Sequence, residues 1–229
     1  MWTARVFTLY PELFPGPLGS GLYKKALEKK LWSLEIVNIR DSAQDKHKTV
    51  DDTPFGGGSG MVIRADVIAS SLDKKISNKN EPIIYLSPKG KIFDQTYAKK
   101  ILDKNLNIVC GHFEGVEQRL LETRNIKEVS IGDFVLSGGE IGAFVLIDTV
   151  VRLIPGVLGN YDSLAEETFE RDLLEYPQYT KPQKWEEKEV PNVLLGGDHA
   201  KIKDWRLAQS EDITRRRRPD LWKKYKKNK

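Results

Sequence analysis

The sequence predicts an α/β protein, because short apolar runs alternate with amphipathic stretches along most of the chain. The runs at 4–9 and 34–39 are rich in β-branched and aromatic residues, which favours buried strands. The stretch at 20–31 places leucines on one side and lysines on the other, as is typical of a helix packed on a sheet. Strands and helices that alternate in this way form α/β folds.

The next elements follow the same pattern. Residues 41–60 are polar and then glycine-rich, so no regular element is expected there. Two later apolar runs that end in glycine predict strands, and the patterned stretches around them predict helices. The predicted strands lie within 82–90 and 107–115 and each ends in a turn, and the predicted helices are 61–75, 94–103 and 141–153.

The last part of the chain has a different composition. Residues 156–175 are acidic with few large apolar side chains, which predicts a linker or a mobile lid. Residues 177–191 contain three prolines and are expected to be irregular. Asp198 is suited to cap a helix that runs through Trp205, and Pro219 is suited to begin a final short helix.

Positive charge is concentrated at the carboxyl end. The last fifteen residues, RRRRPDLWKKYKKNK, hold nine Lys or Arg against one Asp, so they carry +8 and the rest of the chain carries −4. Trp222 and Tyr225 lie among the lysines. A basic segment on a mildly acidic body indicates a polyanionic partner, and the interleaved aromatic residues favour RNA or a membrane surface over a solvated face.

Three glycine-rich segments predict one binding pocket. They are PIIYLSPKG (82–90), NIVCGHFEG (107–115) and SIGDFVLSGGE (130–140), each an apolar run that is bounded by small residues. Glycine lets a ligand approach the main chain closely. In open α/β sheets, ligands bind in the crevice beyond the carboxyl ends of parallel strands. We therefore expect these three loops to meet around a small polar molecule.

Other classes of protein are disfavoured. There is no GxxxxGK[ST] phosphate loop, and GGGSG at 56–60 does not fit a dinucleotide fingerprint. The three histidines have no zinc-type spacing, so no residue is assigned as a metal ligand. No apolar run approaches a bilayer-spanning length, and the amino terminus lacks a signal-peptide layout. Cys110 is a single core thiol, which excludes an internal disulfide and indicates a reducing compartment. The sequence thus predicts a cytoplasmic protein with no membrane partner.

Seven motifs in order carry a family resemblance. They are TVDDTPFGGGSGM (49–61), YLSPKG (85–90), CGHFEG (110–115), SIGDFVLSGGE (130–140), RLIPGVLG (152–159), YPQYTKP (176–182) and VLLGGDHAKIKDWR (193–206). Taken together, they resemble the bacterial tRNA (guanine-N1)-methyltransferases of the TrmD family, in the SPOUT class. The resemblance implies methyl transfer from S-adenosylmethionine to N1 of guanosine 37 in tRNA.

The same resemblance implies a SPOUT-type parallel sheet with a deep trefoil knot, and a homodimer with its active site at the interface. It divides the chain into a knotted S-adenosylmethionine-binding domain (1–159), a linker or lid (160–175) and a C-terminal helical tRNA-binding domain (176–229). The implied cofactor-binding residues are Tyr85, Leu86, Ser87, Pro88, Gly111, Glu114, Ile131, Gly132, Asp133, Phe134, Val135, Leu136, Gly138 and Gly139.

The implied catalytic residues are Glu167 and Arg152. Guanine N1 carries a proton, so the reaction needs a general base and a positive group near O6. The family's base is an aspartate in the linker, and Glu167 occupies that position here, with Glu166 as an adjacent competitor. Arg152 would serve O6, because its guanidinium is permanently charged. Magnesium supports catalysis in the family, but the acidic residues near the implied site have no metal-specific spacing.

Further departures and alternatives remain open. Glu117 replaces a usual aspartate, and Phe113 and Phe134 stand where tyrosines are common. A SPOUT methyltransferase for another RNA, a non-catalytic RNA-binding protein and a nucleotide hydrolase are the competing interpretations. The linker carboxylate and Arg152 disfavour the second, and the missing phosphate loop disfavours the third.

Overall fold

The computed structural model describes residues 1–159, 168–169 and 171–229. Its main sheet has five parallel strands in the order β2-β1-β6-β5-β7. The α/β prediction is therefore confirmed. The strands are β1 (Trp2–Thr8), β2 (Trp32–Asn38), β5 (Ile83–Ile92), β6 (Leu106–Val109) and β7 (Lys127–Ser130). Two short strands, β3 (Asp51–Asp52) and β4 (Val62–Ile63), pair antiparallel with each other.

Helices cover both faces of this sheet. They are α1 (Gly21–Glu28), α2 (Ala65–Lys75), α3 (Gln95–Ile101), α4 (Gln118–Thr123) and α5 (Glu140–Val151). Phe7, Tyr85 and Val109 form one apolar cluster with residues of α2 and α4. The alternate residues of the same strands, Val6 and Ile108, are also fully buried and so belong to the opposite face. Burial on both faces fits the mainly apolar sequences of these strands.

The run at 107–115 forms a strand that ends at Val109, and the chain then turns at Gly111, as predicted. Other predicted boundaries were wrong. The helix predicted from 61 begins at Ala65, because Val62 and Ile63 pair with Asp51 and Asp52. Strand β7 and helix α4 were not predicted. Both are short, and KEVS, the sequence of β7, is too polar to be recognised as a strand.

The chain divides into two compact units, residues 1–159 and 160–229. The described part of the second contains a hairpin, β8 (Lys184–Trp185) with β9 (Lys188–Glu189), inside the stretch predicted to be irregular. It also contains α6 (His199–Arg217) and α7 (Pro219–Asn228). Asp198 caps α6 as predicted, since its side chain accepts a hydrogen bond from Lys201 N at 3.1 Å.

Helix α6 is longer than the prediction that ended it at Trp205. Asp212 forms ion pairs with both Arg215 and Arg216, one turn further along, and these contacts support the last turn. The helix ends at Arg217 because Pro219 keeps Arg218 out of helical geometry. Three of the four consecutive arginines therefore lie in the last turn of α6, and Arg218 connects it to α7.

The amino end of the main sheet is closed by a polar network. Arg5 donates to Glu35 at 2.7 Å and to Asn107 at 2.6 Å, and Asn107 in turn donates to Glu81 at 3.3 Å. Asn107 is fully buried. This network lies at the opposite end of the strands from the loops described below, and it satisfies polar groups that would otherwise be buried without partners. No helix in the described part of the chain has the length and apolar character to cross a membrane.

Candidate functional site

A cavity of about 230 Å³ lies beside an interruption of β5 and the ends of β6 and β7, and the three glycine-rich loops form its walls. Thirteen of the fourteen predicted cofactor-binding residues line it, and Asp133 is the exception. Asp133 is exposed on the same loop. The lining residues that were not predicted are Lys89, His112, Phe113, Gly115, Val129, Ser130, Ser137 and Gly142.

The first loop is an excursion within β5. Leu86 and Lys91 both pair with Val129 of β7, so residues 87–90 bulge out of the ladder. Ser87 Oγ accepts a hydrogen bond from Lys89 N at 3.2 Å and closes the turn. Just before the bulge, Tyr85 is buried, and burial raises the pKa of its hydroxyl. Its ring occupies space that side chains at positions 111 and 115 would need, which explains the glycines there.

The second loop follows β6. Cys110 is fully buried, and burial followed by the nearby Glu140 raises its thiol pKa well above the usual value, so the prediction of a core thiol is confirmed. Phe113 has a φ of +58°, a conformation that is uncommon for residues other than glycine. Glu114 N donates to Met61 O at 3.0 Å. This contact brings the glycine-rich motif at 49–61 against the cavity.

A wider groove adjoins the cavity. It has a volume of about 1200 Å³ and shares Lys89 and Glu114 with the cavity wall. Residues 52–56 of the glycine-rich motif line it, and the Phe55 side chain there is 99% exposed. Glu117 also lines the groove, where it caps α4 and pairs with Arg119 at 2.9 Å. This arrangement suits a large substrate that lies in the open groove and inserts one chemical group into the small cavity.

The third loop follows β7 and presents apolar side chains. Ser130 Oγ donates to Gly132 O at 3.0 Å, and Phe134 N donates to the same carbonyl at 3.0 Å, which folds the loop tightly. Phe134, Val135 and Leu136 are 52%, 85% and 39% exposed in the single chain. Apolar groups held in solvent by an ordered loop indicate a surface that another molecule covers.

The second and third loops touch through their backbones. Gly139 N donates to Gly111 O at 3.0 Å, and His112 and Gly138 form an isolated antiparallel bridge. A Cβ at position 139 would lie 2.7 Å from Cys110 Cα, closer than such atoms come in proteins. The two loops can therefore meet only because position 139 has no side chain.

A buried hydrogen-bonded group behind the cavity was not predicted. Glu140, the first residue of α5, is 2% exposed; it accepts from Thr8 Oγ1 at 2.5 Å and lies 2.7 Å from His112 Nε2. The histidine was assessed only as a zinc ligand. The sequence feature that could have indicated this group is Glu140 itself, a charged residue at the end of the small-residue motif SGGE.

Of the two predicted catalytic residues, Arg152 does not line this cavity. Glu167 and its competitor Glu166 lie outside the described residues. Arg152 caps the carboxyl end of α5, whereas Gly142 near the amino end of that helix lines the cavity. A helix of this length spans roughly 18 Å. Beside Arg152, the hydroxyl of Tyr23 donates a hydrogen bond to Asp148. Burial and then Asp148 raise the pKa of Tyr23 to about 12, whereas the charge of Arg152 lowers that pKa.

Among the described residues, no group of three or more His, Cys, Asp or Glu side chains is placed to hold a metal ion. Glu114 is the carboxylate on the cavity wall. A single carboxylate is compatible with Mg²⁺, which usually keeps several waters and is completed by substrate oxygens.

Comparison with known proteins gives consistent matches over the whole chain. The model of the family described as tRNA (Guanine-1)-methyltransferase TrmD matches residues 1–224. A tRNA (guanine-N(1)-)-methyltransferase from Pelagibacter ubique is 66% identical over 229 residues, which is all of both chains. Proteins of the same name from Bartonella tribocorum and Rhodospirillum rubrum are 54% and 52% identical, and cover 98% and 97% of this chain and 97% and 93% of their own lengths.

Proposed function

This chain belongs to the tRNA (guanine-1)-methyltransferase TrmD family, and we propose how its residues carry out the reaction of that family. The chain transfers a methyl group from S-adenosylmethionine to N1 of guanosine 37 in tRNA. The observation that carries the assignment of the site is the cavity beside the bulge in β5 and the ends of β6 and β7. It collects loops that are far apart in sequence and that separately match the family motifs.

The cavity suits the adenosine part of the methyl donor. Leu86, Ile131 and Leu136 offer apolar walls to a flat base, and the glycines leave main-chain N–H and C=O groups accessible to its edge. We assign the adenine edge to the backbone of 131–136. Bound here, the donor supplies an electrophilic methyl group on a sulfonium.

Removal of the N1 proton is assigned to Glu167, with Glu166 as the competing residue. A carboxylate at hydrogen-bonding distance from N1 would take the proton as the methyl group arrives. Arg152 would stabilise the negative charge that develops at O6. Magnesium would be held by Glu114 together with oxygens of the tRNA, and would add positive charge beside the site.

A homodimer would bring Arg152 to the cavity. Ile141, Val145 and Arg152 follow the i, i+4, i+11 spacing and share one face of α5, and Ile141 and Val145 are 56% and 45% exposed. A two-fold axis through the middle of this face would pair it with itself. The Arg152 end of one helix would then approach the cavity end of the other, so the proposed site would use groups from both protomers.

We also propose the trefoil knot that the family resemblance implies. The chain after β7 returns to the loop after β6, where Gly139 bonds Gly111, before it continues into α5. A segment that passes back between neighbouring strand ends in this way is compatible with threading.

The second unit is proposed to bind tRNA in the cytoplasm. Its helices α6 and α7 carry the basic segment, and a cavity of about 340 Å³ in the same unit is lined by Arg171, Lys203 and Arg206. Lysines and arginines grouped in this way suit the phosphates of a folded RNA.

The test is transfer of labelled methyl groups from S-adenosylmethionine to tRNA transcripts that differ only at position 37. We expect N1-methylguanine from transcripts with guanosine 37. Equal methylation of adenosine 37, or an N2 or N7 product, would refute the assigned reaction. Methylation of an unrelated RNA in preference to tRNA would indicate a different RNA target.

Variants then test the assigned base. Glu167→Gln should lower turnover by about two to four orders of magnitude, as removal of a general base does, with unchanged cofactor affinity. Glu166→Gln is the matched control, because it makes the same change one residue away. An inactive Glu166→Gln with an active Glu167→Gln would move the base by one residue. Mixed dimers of Arg152→Ala and Glu167→Gln chains would show whether the two groups act from different protomers.

A further inference from the structure

Four side chains form a closed set of contacts behind the cofactor cavity. Tyr10 N donates to Thr8 Oγ1 at 2.9 Å, which leaves the Thr8 hydroxyl hydrogen to donate to Glu140 Oε1 at 2.5 Å. The second oxygen of Glu140 lies 2.7 Å from His112 Nε2. The set closes because the rings of His112 and Tyr10 pack together, with centroids 4.7 Å apart.

The Glu140 carboxylate needs these partners. Glu140 is 2% exposed, and a buried ionised carboxylate is tolerated only where hydrogen bonds or charges compensate for lost water. It also begins α5, where the helix dipole favours a negative charge. Because an ionised carboxylate can only accept, the short contact requires that His112 Nε2 carries a proton. The protonated Nε2 must therefore face Glu140, which fixes the orientation of the imidazole ring.

The His112–Glu140 contact joins two of the three cofactor loops. His112 belongs to the loop after β6, and Glu140 directly follows the loop after β7. Between them lies Gly138, where an added Cβ would be 2.1 Å from His112 Cε1 and 2.7 Å from Glu140 Oε2. Thr8, at the end of β1, connects the pair to the central part of the sheet.

We propose that His112 and Glu140 are positioning residues that hold these two loops in the arrangement that binds S-adenosylmethionine. The inference rests on the proposed role of the cavity. The pair sets the affinity for the methyl donor and takes no part in proton removal from guanine. His112 lines the cavity, but its Nε2 is engaged by Glu140 and its side chain is 14% exposed. The ring therefore acts as a fixed part of the wall.

The experiment measures calorimetric affinity for S-adenosylmethionine in the full-length protein. His112→Ala and Glu140→Ala should each weaken binding by roughly 10- to 100-fold, because each leaves the other group of the pair without its partner. In the double variant, the fold-decrease in affinity for S-adenosylmethionine should be much smaller than the product of the two single decreases, since the two residues act as one unit. Glu140→Gln should stay within about threefold of wild type, because neutral imidazole can accept a hydrogen bond from the new amide.

Asn107→Ala is the stability-matched control. It also removes a buried polar side chain, one that bonds Arg5, Glu81 and the carbonyl of Pro82, but at the opposite end of the sheet. It should lower the unfolding temperature as His112→Ala does and leave cofactor affinity unchanged. The loss of activity in His112→Ala should appear as a raised KM for S-adenosylmethionine more than as a lowered kcat, because the pair is assigned no chemical step.

Two results would overturn the proposal. If Asn107→Ala weakens cofactor binding as much as His112→Ala, the pair contributes only general stability. If His112→Ala keeps its affinity and loses turnover, His112 acts in the chemistry. Wild-type protein that does not bind S-adenosylmethionine would instead refute the proposed role of the cavity, so the two failures are distinguishable.

Discussion

Gly139→Ala is the most direct test of how the cofactor cavity is built. Gly139 has φ −76° and ψ −14°, which alanine adopts freely, so the substitution causes no backbone strain of its own. The added Cβ would lie 2.7 Å from Cys110 Cα and 3.1 Å from Gly111 N. Both of these are backbone atoms, which cannot move aside by a change of rotamer.

The size of the effect follows from these distances. Carbon atoms in contact prefer about 3.5 to 4.0 Å, so the two loops must separate by roughly 1 Å. Overpacking of this kind costs about 1 to 3 kcal/mol. The 3.0 Å hydrogen bond from Gly139 N to Gly111 O would lengthen beyond the usual range. If this free-energy cost applies only to the loop arrangement that binds the cofactor, affinity for S-adenosylmethionine decreases by about 5- to 150-fold.

Calorimetry of cofactor binding and chemical unfolding measure the two consequences. Gly196→Ala is the matched control, because its Cβ would meet no atom closer than 4.0 Å and its φ is not positive. The control should bind and unfold as wild type does. A Gly139→Ala protein with wild-type affinity would show that the close approach of the two loops does not shape the binding site.

Two other predictions concern charge. Arg217→Gln should weaken tRNA binding and reduce the slope of its salt dependence by about 0.7 to 0.9. Arg216→Gln should change the affinity and the slope less, because Arg216 already pairs with Asp212. Equal slopes in the two variants would contradict this. Burial acts to raise the pKa of the Glu35 carboxyl, but Arg5 and Lys75 outweigh it and lower the pKa. Glu35 therefore stabilises the fold above its unfolded-state pKa and loses that effect as pH falls through the folded-state pKa. Glu35→Gln should lower the free energy of unfolding at about pH 7 and lower it less at about pH 3. An equal loss at both values in denaturant titrations would refute the ion-pair explanation.

The sequence by itself determined the fold class and most of the cavity wall. Both depend on local patterns: apolar runs predict strands, and glycines at their ends predict loops that approach a ligand closely. Parallel strands place such loops at one edge of the sheet, so three separate motifs could be assigned to one pocket before the strand order was known. The cap at Asp198 was equally local, because it depends only on residues within one helical turn.

The tertiary structure decided what depends on contacts between distant parts of the chain. Thr8 and Glu140 are 132 residues apart, so no local pattern shows that the glutamate of SGGE is buried against a threonine and a histidine. Pairing with β5 made KEVS a strand despite its polar sequence. The length of α5 separated Arg152 from the cavity of its own chain, which is why we propose that a partner protomer supplies this residue. Such features follow from strand order and packing, which bring together residues that the sequence keeps apart.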